Sequence, residues 1–217
     1  MADVVDKAEH ARKRKVLSSA YALKNLEDWE FKVADKVHRL IRQFDSRCTS
    51  PLSKEDTTPI PEDLTIDYRA WTNFFTMDAI ADIGLSERLG FVDAGSDNLT
   101  AEGLDGTTFE ANYRECLHAM LFAQSHTVWA YRWYKTLRKL TQATSRKYRR
   151  MWKLAEGWDG IVYRRATQRL KRYQQGEKLD DFFQALMEDK TGKLNNLEWG
   201  EIVAEISIMC KLRPLVD

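Results

Sequence analysis

Apolar residues recur every three or four positions along most of this chain, and this helical spacing constrains the fold more than any other feature. The clearest case runs from Leu26 to Phe44, where the apolar side chains share one helical face. A second segment, Tyr68 to Leu85, is apolar around much of its circumference, which predicts a helix buried on several sides. No segment alternates convincingly with period two. The sequence therefore predicts an all-α (mainly α) fold.

Four further helical segments follow. Three of them have the predicted ranges Thr107 to His126, Gln142 to Gln175 and Asp180 to Glu188, and the fourth begins after Asn195. Gly157 and Gly160 fall within the long basic segment, where each weakens a helix, so a kink is predicted there.

Cap and loop signals divide these helices. Asn25 is a predicted cap for the first helix, and Thr107 with Glu110 has capping-box spacing. Asn195 with Glu198 is a predicted cap for the last helix. Two segments rich in turn-forming and polar residues predict surface loops. These loops are Asp45 to Asp63 and Asp93 to Asp105, and Gly84 and Gly90 mark the exit of the second helix.

Composition excludes several classes of protein. The chain has 217 residues with 34 Lys+Arg and 33 Asp+Glu, so no overall field attracts nucleic acid. Cys48, Cys116 and Cys210 lack paired spacing, which argues against a disulfide framework or a zinc site and favours a reducing, cytoplasmic compartment. No apolar run reaches the roughly 18 residues of a membrane span. We expect no nucleic-acid partner and no transmembrane segment, in a chain that is soluble or only peripherally bound.

Two polar groupings resemble reactive sites, but their spacing favours structural roles. Cys116 and His118 fall on different faces of a helix, so a metal site that includes His126 is not expected. Both histidines are predicted to be partly buried in the core. Asp78 and Asp82 have i, i+4 spacing but no third group for acid–base chemistry. We expect Asp82 to be exposed and Asp78 to form hydrogen bonds at a helix interface.

Aromatic and basic stretches occupy the second half of the chain. Trp129, Tyr131, Trp133 and Tyr134 are dense enough to favour ordinary packing. The basic segment from Arg146 to Arg172 contains interleaved aromatic residues and could imitate a helix that binds nucleic acid or a membrane surface. The near-neutral total charge favours a solvated amphipathic helix instead.

Three stretches, in order along the chain, carry a resemblance to a known family. The first is His10 to Tyr21, HARKRKVLSSAY, and the second is Trp71 to Gly84, WTNFFTMDAIADIG, followed by Leu89-Gly90-Phe91. The third combines Asp181 to Gly192 with Glu201 to Met209, EIVAEISIM. Together they resemble helix C, helix E, and helix H with the opening of helix I in fungal cytochrome P-450 enzymes, the haem-thiolate monooxygenases.

This resemblance implies a haem cofactor in the complete family members. Their haem receives its electrons from NADPH through a reductase. Their axial cysteine lies in a Phe-x-x-Gly-x-Arg-x-Cys-x-Gly loop, and none of the three cysteines here has that context. We therefore expect no cofactor in this chain by itself. Arg14, with His10 as a second candidate, corresponds to the family position that faces a haem propionate, which a guanidinium suits well.

The resemblance also implies how the chain is organised. Residues 1–209 would form a partial P-450 domain, and residues 210–217 a tail outside the family pattern. Pro214 is incompatible with a continued helix at that point. The family's Ala/Gly-Gly-x-Asp/Glu-Thr segment and its Glu-x-x-Arg pair are not found. Complete members are anchored in the endoplasmic-reticulum membrane, whereas this chain is expected to be cytoplasmic.

The predicted function is therefore that of a truncated, inactive relative of a monooxygenase that oxidises lipophilic intermediates in fungal secondary metabolism. Two alternatives stay open. One is a helical protein–protein interaction module that self-associates through exposed apolar faces. The other is a piece of an active haem monooxygenase. A haem-independent enzyme is least expected, because no nucleophile–base constellation is present.

Overall fold

The computed structural model describes residues 7–20, 27–48, 66–103, 105–189 and 191–210. Its helices are α1 (Lys7–Ala20), α2 (Glu30–Cys48), α3 (Tyr68–Leu85), α4 (Phe91–Ala94), α5 (Tyr113–Ser125), α6 (Tyr134–Thr144), α7 (Arg146–Gln174), α8 (Phe182–Met187) and α9 (Trp199–Cys210). A 3₁₀ segment, Val128–Trp133, precedes α6. The strands are β1 (Asn98–Glu102) and β2 (Thr108–Asn112). The prediction of a mainly α fold is confirmed.

The chain divides into two compact units. The first unit contains the described residues up to Ser96 and from Gly176 onward, which include α1 to α4, α8 and α9. The second unit is the continuous segment Asp97–Gln175, which contains the two strands and α5 to α7. In sequence, the second unit is inserted into the first.

Helix α3 is buried on several sides, as its apolar circumference predicted. Its boundaries coincide with the predicted Tyr68 to Leu85. The Asp67 carboxylate accepts a hydrogen bond from the Ala70 amide at the start of the helix. At its end Ser86, rather than a glycine, adopts the left-handed conformation with φ 47°. Gly84 lies inside the helix, where its missing side chain admits Met209 from α9.

Helix α2 buries only part of the face that its apolar pattern predicted. Trp29, just before the helix, is 2% exposed and Val33, Leu40 and Phe44 are half-buried, but Val37 and Ile41 are 38% and 49% exposed. Lys32 and Lys36, which are not part of that pattern, are 6% and 2% exposed. The helix also continues through Cys48, so the loop prediction from Asp45 was wrong at its beginning. The rest of that loop, residues 49–63, and the predicted cap Asn25 lie outside the described residues.

The second unit contains a β-hairpin where a loop and a helix start were predicted. The two strands pair antiparallel, with Asn98 opposite Asn112 and Glu102 opposite Thr108. The capping-box prediction at Thr107 was therefore wrong, because pairing with the preceding strand β1 outweighs the local cap signal. Asn112 is the actual cap: its side-chain oxygen accepts a hydrogen bond from the Glu115 amide. Helix α5 ends near His126, as predicted.

Helix α7 remains helical through both of its glycines. A Cβ at Gly160 would lie 2.7 Å from the carbonyl oxygen of Glu102 on β1, and one at Gly157 would lie 3.0 Å from Cys116 Sγ. These glycines therefore allow the hairpin and α5 to pack closely against α7. The predicted helix start at Gln142 was wrong, because the extended residue Ser145 separates α6 from α7.

The short helix predicted near Asp180 to Glu188 is confirmed as α8. Its cap is Asp181, whose carboxylate accepts a hydrogen bond from the Gln184 amide. Asn195 does not cap the last helix, because its side chain donates to the carbonyl oxygens of Ala185 and Leu186. Residues 211–217 of the predicted tail lie outside the described residues.

Candidate functional site

Helix α1 carries the two residues predicted to face a haem propionate. His10 and Arg14 are one helical turn apart, so they lie on the same side of the helix. Arg14 is exposed and His10 is half-buried. Neither side chain forms a hydrogen bond or an ion pair with another residue in the described ranges. Arg14 thus presents donors that are available to an anion.

The neighbouring cations of α1 are already paired within the first unit. Lys13 Nζ lies 2.6 Å from Glu201 Oε1 on α9, and Arg12 Nη2 lies 3.2 Å from the same oxygen. The hydrogen bond from Lys13, with a smaller contribution from Arg12, lowers the pKa of Glu201. These contacts hold α1 against α9. They engage Lys13 and Arg12 but not His10 or Arg14, which can therefore bind another partner.

A network of buried charges joins α2 to α3. Lys36 Nζ lies 2.6 Å from Asp82 Oδ2 and 3.0 Å from Asp35 Oδ2. Lys32 Nζ donates to the carbonyl oxygens of Asp82 and Asp180 at 2.9 and 2.7 Å. Burial lowers the pKa of Lys32 despite these acceptors. The prediction that Asp82 is exposed was wrong, because two lysines from the buried face of α2 surround it.

Asp78 forms hydrogen bonds at a helix interface, as predicted. Its carboxylate is 2% exposed and accepts hydrogen bonds from the amides of Phe91 and Val92 at 3.1 and 2.9 Å. These amides begin α4, so Asp78 anchors that short helix to α3. Burial raises the pKa of Asp78, and the two amide hydrogen bonds oppose that shift. Asp78 and Asp82 therefore have structural roles rather than shared acid–base chemistry.

Cys116 is a buried thiol rather than a metal ligand or a nucleophile. It is 2% exposed, and burial raises its pKa to about 11, so the reactive thiolate is scarce at neutral pH. His118 and His126 are both exposed, which corrects the prediction that they are partly buried. His126 Nδ1 lies 2.7 Å from the carbonyl oxygen of Phe122. In the part of the chain that the structure describes, no three His, Cys, Asp or Glu residues group as metal ligands.

The aromatic run is largely on the surface, which corrects the prediction of ordinary packing. Trp129 and Trp133 are 88% and 66% exposed, whereas Tyr134 packs edge-on against Trp152 at 6.0 Å. The Tyr131 side chain lies outside the described part of the structure. Because two large aromatic side chains remain accessible here, this segment is a surface available to an apolar ligand or partner.

The basic segment forms helix α7, which is solvated on one side and buried on the other. Arg149 and Arg150 are exposed, in agreement with a solvated face, whereas Arg169 is only 1% exposed. Tyr163 is 40% exposed, but Trp152 and Trp158 are buried. The interleaved tryptophans therefore pack in the core of the second unit rather than forming a stacking surface for bases. No helix in the described ranges is both long and apolar enough to cross a bilayer.

The fold and these charge clusters define a mainly helical protein without an assembled reactive centre among the described residues. No protein-family model matches the chain, and no solved structure matches it. Among curated proteins, it is similar to quiannulatic acid synthase from Emericella variicolor, with 23% identity over 216 residues. It is also similar to benzoate 4-monooxygenase from Aspergillus niger, with 25% identity over 92 residues.

These matches cover only part of the relatives. The first match includes 94% of this chain but 37% of the quiannulatic acid synthase, and the second includes 42% and 17%, respectively. The chain therefore spans well under half the length of either relative. The similarity indicates a distant relation to monooxygenase-like fungal proteins.

Proposed function

We propose that this chain is a helical portion of a haem-thiolate monooxygenase of the cytochrome P-450 kind. The observation that carries the proposal is the alignment of 94% of the chain with one fungal synthase. The helical fold supports it, as does the order of the three resembling stretches from α1 to α9. The names of both relatives refer to an organic acid, which favours a lipophilic or aromatic metabolite as the substrate of the complete enzyme.

The residues of α1 suit one part of a haem site. Arg14 would bind a haem propionate through its forked donors, and His10 on the same face would bind beside it. Bound haem would supply oxygen activation, which needs an axial thiolate. Cys116 does not suit that ligand position, because its buried thiol has a raised pKa and packs against α7. We therefore propose that the 217-residue chain alone is catalytically inactive.

Sequencing the transcript and its genomic locus beyond the codon for Asp217 tests this proposal. A continuous reading frame that contains the haem-loop cysteine would make the chain part of an active oxygenase. A stop codon confirmed in the transcript would support a truncated, inactive product. If no cysteine of that context follows in any frame, and no related locus encodes one, the haem-thiolate assignment fails.

The role of Arg14 has its own test in any complete form of the protein. The substitution Arg14→Ala should lower haem retention during gel filtration, because a propionate loses its charged partner. Lys15→Ala is the matched control, since Lys15 is an exposed cation on the same helix. Equal haem content in both variants would remove Arg14 from the site.

A second candidate function is a helical interaction module, which the surface of α2 favours. Phe31, Val37 and Ile41 are 65%, 38% and 49% exposed, although they belong to the apolar part of the helix. A partner that covered this face would gain about 25 cal/mol for each Å² of apolar surface removed from water. Sedimentation equilibrium should then show an oligomer that Ile41→Glu dissociates and Arg42→Gln does not. A monomer at all concentrations would exclude self-association.

A further inference from the structure

The second unit contains a groove between α5 and the N-terminal part of α7. Its volume is about 590 Å³, which lies within the range of sites for small organic molecules, roughly 300–1,000 Å³. Apolar side chains from both helices line it, namely Ala119, Phe122, Met151 and Leu154. The groove is thus large enough and apolar enough to bind a hydrocarbon chain or a small ring system.

One cation at the edge of this groove lacks a carboxylate partner in the described ranges. Lys147 is exposed, and its Nζ lies 4.5 Å from the centre of the Phe122 ring. That cation–π contact places the ammonium group directly over the apolar lining. It does not supply the charged hydrogen-bond acceptor that an ammonium group binds most strongly.

The other charged groups of the groove are paired. Glu115 would repel an anion, but its Oε1 accepts a 2.8 Å contact from Arg150 Nη2, which offsets the negative charge. Arg114 lies 4.0 Å from Asp97 through its Nε, and Asp97 also accepts hydrogen bonds from the Arg114 amide and the Asn112 side chain. Among the lysine, arginine and glutamate side chains that line the groove, Lys147 alone has no ion-pair partner in the described ranges.

We propose that this groove binds an amphipathic carboxylate, with the carboxylate on Lys147 and the apolar part against Phe122, Met151 and Leu154. The charge selects an anionic head group, and the lining selects a hydrocarbon or aromatic body. The site lies entirely within the second unit and needs no haem. It therefore goes beyond the proposed function and stands or fails independently of it.

Isothermal titration of the full 217-residue chain with decanoate, and separately with decan-1-ol, tests this site at neutral pH. Decanoate is expected to bind more tightly than decan-1-ol. Lys147→Met should weaken decanoate binding about three- to tenfold, the effect of losing a largely exposed charged hydrogen bond. The same substitution should leave the affinity for decan-1-ol unchanged, and Lys147→Arg should retain decanoate binding.

Lys153→Met is the matched control, because Lys153 is an exposed cation on α7 that does not line the groove. Circular dichroism of each variant verifies that the helices are intact. The proposal is overturned if decanoate does not bind, if decan-1-ol binds equally well, or if Lys153→Met weakens decanoate as much as Lys147→Met. Failure of this test leaves the haem-related proposal untouched, because none of these measurements uses haem.

Discussion

Substitution of Asp82 should reveal how strongly the buried charges hold α2 to α3. Asp82→Leu removes the carboxylate that lies 2.6 Å from Lys36 Nζ, while Lys36 itself is only 2% exposed. The lysine then retains Asp35, at 3.0 Å, as its remaining carboxylate partner. Asp35 is shared with Arg39, so it compensates only in part. The expected result is a strongly destabilised first unit.

The magnitude follows from the geometry. At 2.6 Å and an effective dielectric constant of about 20, the Coulomb attraction between Lys36 and Asp82 is about 6 kcal/mol. The cost of removing both charges from water cancels much of that attraction. Breaking such a pair by removing one partner typically costs about 3–5 kcal/mol. Because Asp35 remains, we expect Asp82→Leu to lower the free energy of unfolding by about 3 kcal/mol.

Urea denaturation followed by circular dichroism measures this loss in a double-mutant cycle. Lys36→Met together with Asp82→Leu should be at least about 2 kcal/mol more stable than the sum of the two single effects predicts, because the Lys36 charge no longer stays buried without its partner. Glu30→Gln, an exposed change on α2, is the control and should stay within about 0.5 kcal/mol. Additivity of the two substitutions within about 0.5 kcal/mol would refute the reasoning.

Three further predictions concern packing, acid stability and thiol reactivity. Gly160→Ala should lower the free energy of unfolding of the second unit in urea by about 1–3 kcal/mol, because its Cβ would meet the Glu102 carbonyl oxygen. The control is Gly200→Ala, whose Cβ meets no atom within 4 Å and which should be neutral or stabilising. The hydrogen bond from Arg39 lowers the pKa of Asp35 to about 2. The Asp35 carboxylate therefore stabilises the fold above its pKa in the unfolded chain, which is near 4, and this stabilisation is lost as the pH falls from about 4 towards 2. Asp35→Asn should remove the loss of stability between about pH 4 and pH 2 that Asp35 causes. An unchanged dependence of the free energy of unfolding on pH would contradict this prediction. In a variant that retains only Cys116, a disulfide reagent should react slowly at neutral pH and rapidly in urea; fast reaction without urea would show that the thiol is accessible.

The sequence predicted the helices best where local signals and burial agree. Helix α3 has the predicted boundaries because its apolar residues lie around the whole circumference, so any packing direction buries them. The prediction that Asp78 forms hydrogen bonds at a helix interface was also correct. The end of α5 near His126 was predicted correctly as well.

The errors arise where distant residues decide the local structure. The β-hairpin depends on pairing between Asn98 and Asn112 across a turn, and each strand is too short to show a clear alternation. The orientation of α2 depends on acceptors from α3 and on Asp180, which hold Lys32 in the interior while Val37 and Ile41 face the surface. Apolar periodicity cannot reveal such acceptors, so the predicted face is only partly buried.

The resembling stretches named Arg14 and His10 as site residues, and their role stays a prediction. Arg14 and His10 lie on one helix face, as their spacing requires. The pairing of Glu201 with Lys13 was not predicted, because nothing local relates residues so far apart in the chain. The groove at Lys147 was also missed. The sequence signals this groove only by the cation Lys147 close to the apolar residues Met151 and Leu154, in a segment that was interpreted as a solvated helix.

The contact between Lys32 and Asp180 has a consequence for the order in which this protein folds during synthesis. The ribosome releases Lys32 early, but the carbonyl oxygen that it binds at 2.7 Å is made about 150 residues later. The intervening segment Asp97–Gln175 is continuous, and its hairpin and helices find their partners within it. Domains fold as they emerge from the ribosome, which adds about 5–20 residues per second. The inserted unit can therefore fold before the first unit is complete, while Lys32 stays hydrated for roughly 7–30 s until Asp180 has been made.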